Sequence, residues 1–77
     1  MKIMFFGIAK ELAGGATLEI TEKPGTVGQF REWLIRQYPA MRELRKVMIA
    51  VNKTYATDEQ TIADDDEIAV IPPLSGG

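Results

Sequence analysis

Hydrophobic positions along the 77-residue chain run at period two, then at helical spacing, then at period two again. Residues 2–6 place Ile3 and Phe5 on one face and Met4 and Phe6 on the other, which predicts a first strand. Residues 7–13 read as a helical turn ended by Gly14-Gly15. Those glycines mark a turn and not a phosphate loop, because no strand-then-helix context surrounds them. Residues 16–22 alternate with Leu18 and Ile20 inward and Thr17, Glu19 and Thr21 outward, a half-buried antiparallel strand. Lys23-Pro24-Gly25 is a turn. Thr26 with Gln29 then forms a capping box at a helix N-terminus. The helix runs over 27–38, with Val27, Phe30, Leu34 and Tyr38 on one stripe. Arg31, Glu32 and Arg36 face water, and Trp33 packs beside the stripe. Pro39 stops the helix, and Met41 and Leu44 suggest one further turn. Residues 47–51 are apolar throughout, as in a strand covered on both faces. Asn52-Lys53 turns the chain into a short return strand at 54–55. Ile62 anchors a loop. The acidic turn Asp64-Asp65-Asp66 precedes a last strand over 67–71, with Ile68 and Val70 on one face and Ala69 and Ile71 on the other.

The order strand, strand, helix, strand, short strand, strand gives an α+β fold: a mixed sheet of about five strands packed on one main helix. It is compatible with a β-grasp, in which the last strand joins the first near the middle of the sheet, although the pattern alone leaves the strand order open. The chain reads as one domain over 1–71 and a flexible C-terminal tail over 72–77. Parity makes a further point. If Ile3, Phe5, Leu18, Ile20, Ile68 and Val70 face the helix, then Met4, Phe6, Ala69 and Ile71 share the opposite face. An apolar patch there suggests a partner surface; the alternative is cover by a loop of the same chain.

Composition narrows the function. The chain has no cysteine and no histidine, which excludes disulfides, thiolate nucleophiles, Cys/His zinc sites and imidazole acid–base catalysis. A net charge of −2 and a pI near 5.0 disfavour nucleic acid as a partner. No apolar run approaches the length of a membrane span. The apolar start is broken by Lys10-Glu11 and reads as a strand before it reads as a signal peptide, so a cytoplasmic location is expected. Asp64-Asp65-Asp66 lacks the alternating oxygens and closing glutamate of a calcium loop, and no metal is expected. No Ser, Thr or Lys has a recognisable base beside it. A self-contained active site is not expected.

The tail, Pro72-Pro73-Leu74-Ser75-Gly76-Gly77, is the least ordinary segment. Proline ends the strand, because it has no amide for the ladder. Two prolines hold the exit extended, and six residues reach roughly 18–20 Å. Gly76 and Gly77 are the narrowest chain possible, able to thread a slot that admits no Cβ and to present a terminal carboxylate inside another protein. Two terminal glycines arise by chance about once in 200 chains. The pair gains weight from the stiffening prolines, from the strand that feeds it and from the lack of other chemistry.

Ile3-Met4-Phe5-Phe6 with Lys10-Glu11-Leu12, the helix after Thr26-Val27, Ala50-Val51-Asn52, Asp64-Asp65-Asp66-Glu67 and the Pro72-Pro73-Leu74-Ser75-Gly76-Gly77 end together resemble the small subunits of molybdopterin synthase, a family of ubiquitin-like β-grasp sulfur carriers. The resemblance spans the chain, and the Pro-Pro-x-Ser-Gly-Gly end is its most specific part. It implies that an E1-like adenylyltransferase uses ATP and magnesium to adenylate Gly77, that a persulfide donor converts it to a thiocarboxylate, and that the tail delivers sulfur to a cyclic pyranopterin in the synthase large subunit. On that scheme the chain binds no cofactor and is not catalytic alone. The resemblance also implies partner contacts at Phe6, Lys10, Tyr55 and Ile71 and along Pro72, Pro73, Leu74 and Ser75. Lys10 stands where arginine is common, Ile71 where an aromatic is common and Asp65 where a turn glycine is frequent. Related carriers serve other thiolation pathways or form bonds to protein lysines, which is the alternative reading.

Overall fold

The computed structural model describes residues 1–43 and 47–72. In chain order the elements are β1 (Lys2–Phe5), α1 (Gly7–Ala13), β2 (Thr17–Glu19), α2 (Val27–Gln37), a 3-10 turn (Pro39–Glu43), β3 (Met48–Val51), β4 (Thr54–Tyr55) and β5 (Glu67–Ile71). The five strands form one sheet in the order β2-β1-β5-β3-β4. β1 pairs antiparallel with β2 and parallel with β5. β5 and β3, and β3 and β4, are antiparallel. The last strand in sequence therefore lies at the sheet's centre against the first. Parallel neighbours need a crossover, and α2 lies in it. This is the ubiquitin-like β-grasp arrangement, with the mixed sheet and single main helix expected.

Local chemistry explains α2. The Thr26 hydroxyl accepts from the Gln29 amide at 3.2 Å, and the Gln29 side chain accepts from the Gly25 and Thr26 amides at 2.7 and 3.2 Å. The Val27 and Gly28 amides donate to Gln60 and Asp58 carbonyls, each at 2.9 Å. The donors that open the helix thus have partners. Val27, Phe30 and Leu34 pack with Ile3, Phe5, Ile49, Val51, Ile68 and Val70 into one core. Trp33 is buried and stacks on Phe30 with ring centroids 5.8 Å apart. Tyr38 meets Phe5 edge-on at 6.0 Å. Arg31 staples the layers: its Nη1 donates to the Val47 carbonyl at 2.6 Å and its Nε to Asp58 at 3.2 Å.

Several boundaries differ from the sequence reading. The first strand stops at Phe5, and Phe6 becomes the N-cap of α1, because Gly7 takes a left-handed φ of +55° that ends the extended run. β2 covers only Thr17–Glu19. Single bonds from Phe5 N to the Ala16 carbonyl and from Ile20 N to the Met1 carbonyl prolong its ladder. Thr21 and Glu22 lie outside the sheet. α2 ends at Gln37 with Tyr38 as its C-cap. Met41 is buried in the turn that follows; Leu44 lies outside the described residues. The 47–51 segment is not covered throughout. Val47, Ile49, Ala50 and Val51 are buried, but Met48 is 43% exposed, because no described element packs on that side of the sheet.

Candidate functional site

Strand register lays out the face opposite α2 in rows. One row runs Thr17, Met4, Ala69, Ala50, Tyr55 across all five strands. Toward the end of β5 the next row sets Ile71 opposite Met48, with Phe6 following the Phe5–Val70 pair and donating its N–H to the Val70 carbonyl at 3.1 Å. Toward its start lie Glu19, Lys2 and Glu67. The face is therefore charged at one end and apolar at the end where the tail begins. Ala50 and Ala69 are buried and form its floor, while Phe6 is 46%, Met48 43% and Tyr55 62% exposed. Met4 and Ile71 are half-buried between them. The exposure of Phe6, Met48 and Tyr55 leaves this part of the face open to solvent.

The root of the tail is fixed at a corner. Pro72 is half-buried and lies against Gly7, where an added Cβ would stand 3.1 Å from the proline Cγ. Gly7 thus serves twice, turning β1 into α1 and leaving room for Pro72. Of the expected contact residues, Phe6, Ile71 and Pro72 come together here. Tyr55 shares the face but lies on the far edge strand. Lys10 is exposed in the last turn of α1, off the strands that make the face. Pro73, Leu74, Ser75, Gly76 and Gly77 lie outside the described residues. Met48 was missed. Its period-two alternation with Ile49 puts it on this face once β3 is known to pair with β5.

The acidic turn has a structural task. The two Asp66 carboxylate oxygens accept from the Ala63 amide and from Asn52 Nδ2, each at 2.8 Å. The backbone bond first, and the Asn52 bond second, hold this carboxyl below the usual carboxylate range. Among the described residues no three acidic side chains converge to hold a metal, and no helix is long and apolar enough to cross a membrane.

The sequence and the fold are similar to those of known proteins. The ThiS family matches residues 3–77. The molybdopterin synthase sulfur carrier subunit of Caenorhabditis briggsae is 40% identical over 82 residues, covering all of this chain and 96% of that one. The Arabidopsis thaliana subunit of the same name is 35% identical over 79 residues, covering all of this chain and 82% of that one. Among solved structures, a putative molybdopterin converting factor subunit 1 from Pyrococcus furiosus superposes with a TM-score of 0.82 at 25% identity, covering 95% of each chain. The chain belongs to the ThiS family, in the group of molybdopterin synthase sulfur carrier subunits.

Proposed function

We propose that the chain carries sulfur on its own last carboxylate, at Gly77, and delivers it within a molybdopterin synthase. The observation that carries this reading is the apolar patch of Phe6, Met48 and Ile71 at the root of the tail, with Tyr55 farther along the same face. An enzyme that takes in the tail must sit against this end of the sheet, and desolvating the patch contributes the affinity that a six-residue tail alone lacks.

The chemistry needs activation, because a free carboxylate resists nucleophiles. An E1-like adenylyltransferase holding ATP and magnesium lets the Gly77 carboxylate attack the α-phosphorus, releasing pyrophosphate. The terminal sulfur of a persulfide donor then attacks the acyl carbon and AMP leaves. A second thiol cleaves the resulting acyl disulfide, freeing the Gly77 thiocarboxylate as a new disulfide forms. The tail next enters the large synthase subunit, where the sulfur attacks a carbon of the cyclic pyranopterin and a carbon–oxygen bond at that carbon breaks, the oxygen leaving protonated or with its phosphate. Water then hydrolyses the acyl–sulfur bond, which leaves the sulfur on the pterin and restores the Gly77 carboxylate, and two such deliveries complete the dithiolene. Phe6, Lys10, Tyr55 and Ile71 dock the partner, while Pro72, Pro73, Leu74, Ser75 and Gly76 thread its channel. The chain is the carrier of the reacting atom, and the larger partners supply the acid–base groups.

Incubation with ATP, magnesium, the E1-like enzyme and a persulfide donor should raise the intact mass by the exchange of one oxygen for one sulfur. Deleting Gly77, or adding one residue after it, should abolish the gain while the thermal melt is unchanged. Absence of any gain with the cognate enzyme would refute the proposal. A gain followed only by isopeptide bonds to protein lysines would reassign the acceptor.

A further inference from the structure

We infer that Met48 is an oxidation-sensitive contact in the docking face: conversion of its thioether to the sulfoxide by a peroxide weakens binding of the large subunit. The inference rests on the docking reading above and adds a modification site to it. The chain contains four methionines and no cysteine, so before any sulfur is loaded on Gly77 thioethers are its only oxidisable sulfur. Met41 is buried in the 3-10 turn, Met1 and Met4 are half-buried, and Met48 alone is 43% exposed. Oxidation follows exposure, which singles out this residue. Its position makes the modification matter. Met48 pairs across the sheet with Ile71, the last residue before the tail, and stands on the open apolar end of the face beyond the buried Ala50–Ala69 floor.

The reaction balances without help from the protein. The sulfur lone pair attacks the peroxide oxygen and the O–O bond breaks. The sulfur loses two electrons, and hydrogen peroxide leaves as water. The product replaces a flexible apolar group with a strongly polar acceptor. Against an apolar partner surface that oxygen must be desolvated without a donor, a penalty that does not exist in the free chain.

The sequence allows a clean measurement. Trypsin separates the methionines into four peptides, 1–2, 3–10, 37–42 and 47–53, and places Gly77 in 54–77. This matters because one added oxygen nearly matches the mass of an oxygen-to-sulfur exchange, so intact mass alone confuses sulfoxide with thiocarboxylate. On titration with hydrogen peroxide, peptide 47–53 should oxidise first. Calorimetric affinity for the isolated large subunit should then fall by about tenfold. A methionine sulfoxide reductase should restore it, and the affinity of Met48→Leu, whatever its starting value, should not change on peroxide treatment. Oxidation of 47–53 no earlier than of 37–42, or unchanged affinity once Met48 is oxidised, overturns the inference. Failure of the untreated chain to bind the large subunit overturns the docking reading, and this inference with it.

Discussion

Asn52 closes the β3–β4 turn and fastens it to β5 at the same time. Its amide donates to the Glu67 carbonyl at 2.8 Å, its Oδ1 accepts from the Glu67 amide at 3.0 Å, and its Nδ2 holds Asp66. Its φ of +51° suits asparagine better than most side chains. The clamp depends on the charge of Asp66. Because its carboxyl titrates below the usual range in the fold, the folded state binds that proton less tightly than the unfolded chain. The stabilisation is therefore complete above the unfolded value of about 3.9 and is lost as pH falls through that value toward the folded one. Thermal melts taken from about pH 6 down to about pH 3 should show a steeper decline for the natural chain than for Asp66→Asn, with the two curves converging at the acid end.

At the scale of elements, what could be read from the sequence depended on whether the signal was local. The capping box at Thr26, the stop at Pro39 and the limits of β5 rest on neighbours within a few residues, and the structure keeps them. The extent of β2 and the end of β1 do not. Thr21 continues the alternation that Leu18 and Ile20 set, yet strand pairing is decided by the register with β1, which pairs Thr17–Glu19. Phe6 continues the alternation of Met4, yet Gly7 ends the strand before it. The β3–β4 turn holds a local conflict of another kind. Lys53 sits at φ +71°, where a two-residue hairpin turn favours glycine. Lys53→Gly should raise stability by about 1 kcal/mol, read as a higher denaturant midpoint with an unchanged slope.

For the whole molecule, core and site are separable, and this makes the functional reading testable. Phe30 is wholly buried between helix and sheet. Phe30→Ala should cost about 3–5 kcal/mol, a large part of the stability of so small a domain, and should appear as a collapse of the thermal midpoint. Phe6 lies on the open face, so Phe6→Asp should shift stability by no more than about 0.5 kcal/mol. The same change should weaken large-subunit binding by about a hundredfold, measured by calorimetry. The tail could be singled out from sequence alone because the chemistry proposed for it rests on consecutive residues and needs no folding to assemble, but past Pro72 it lies outside the described residues. The patch was only half legible. Parity along single strands found Phe6 and Ile71, but Met48 and the alanine floor depend on register between strands far apart in sequence.

The parallel pairing of β1 with β5 has a consequence for synthesis. The chain emerges from the ribosome with β1 first and the strand that belongs beside it last. Until β5 is free, β1 and β3 each lack a central neighbour, and their open edges invite pairing with other chains. Folding therefore cannot close around a partial product, and contacts of such long sequence separation form late. Since Pro72 follows β5 directly, the residues after it are attached to a sheet that closes only once its central strand has been made. Order of synthesis thus sets the moment at which the sheet loses its open inner edges.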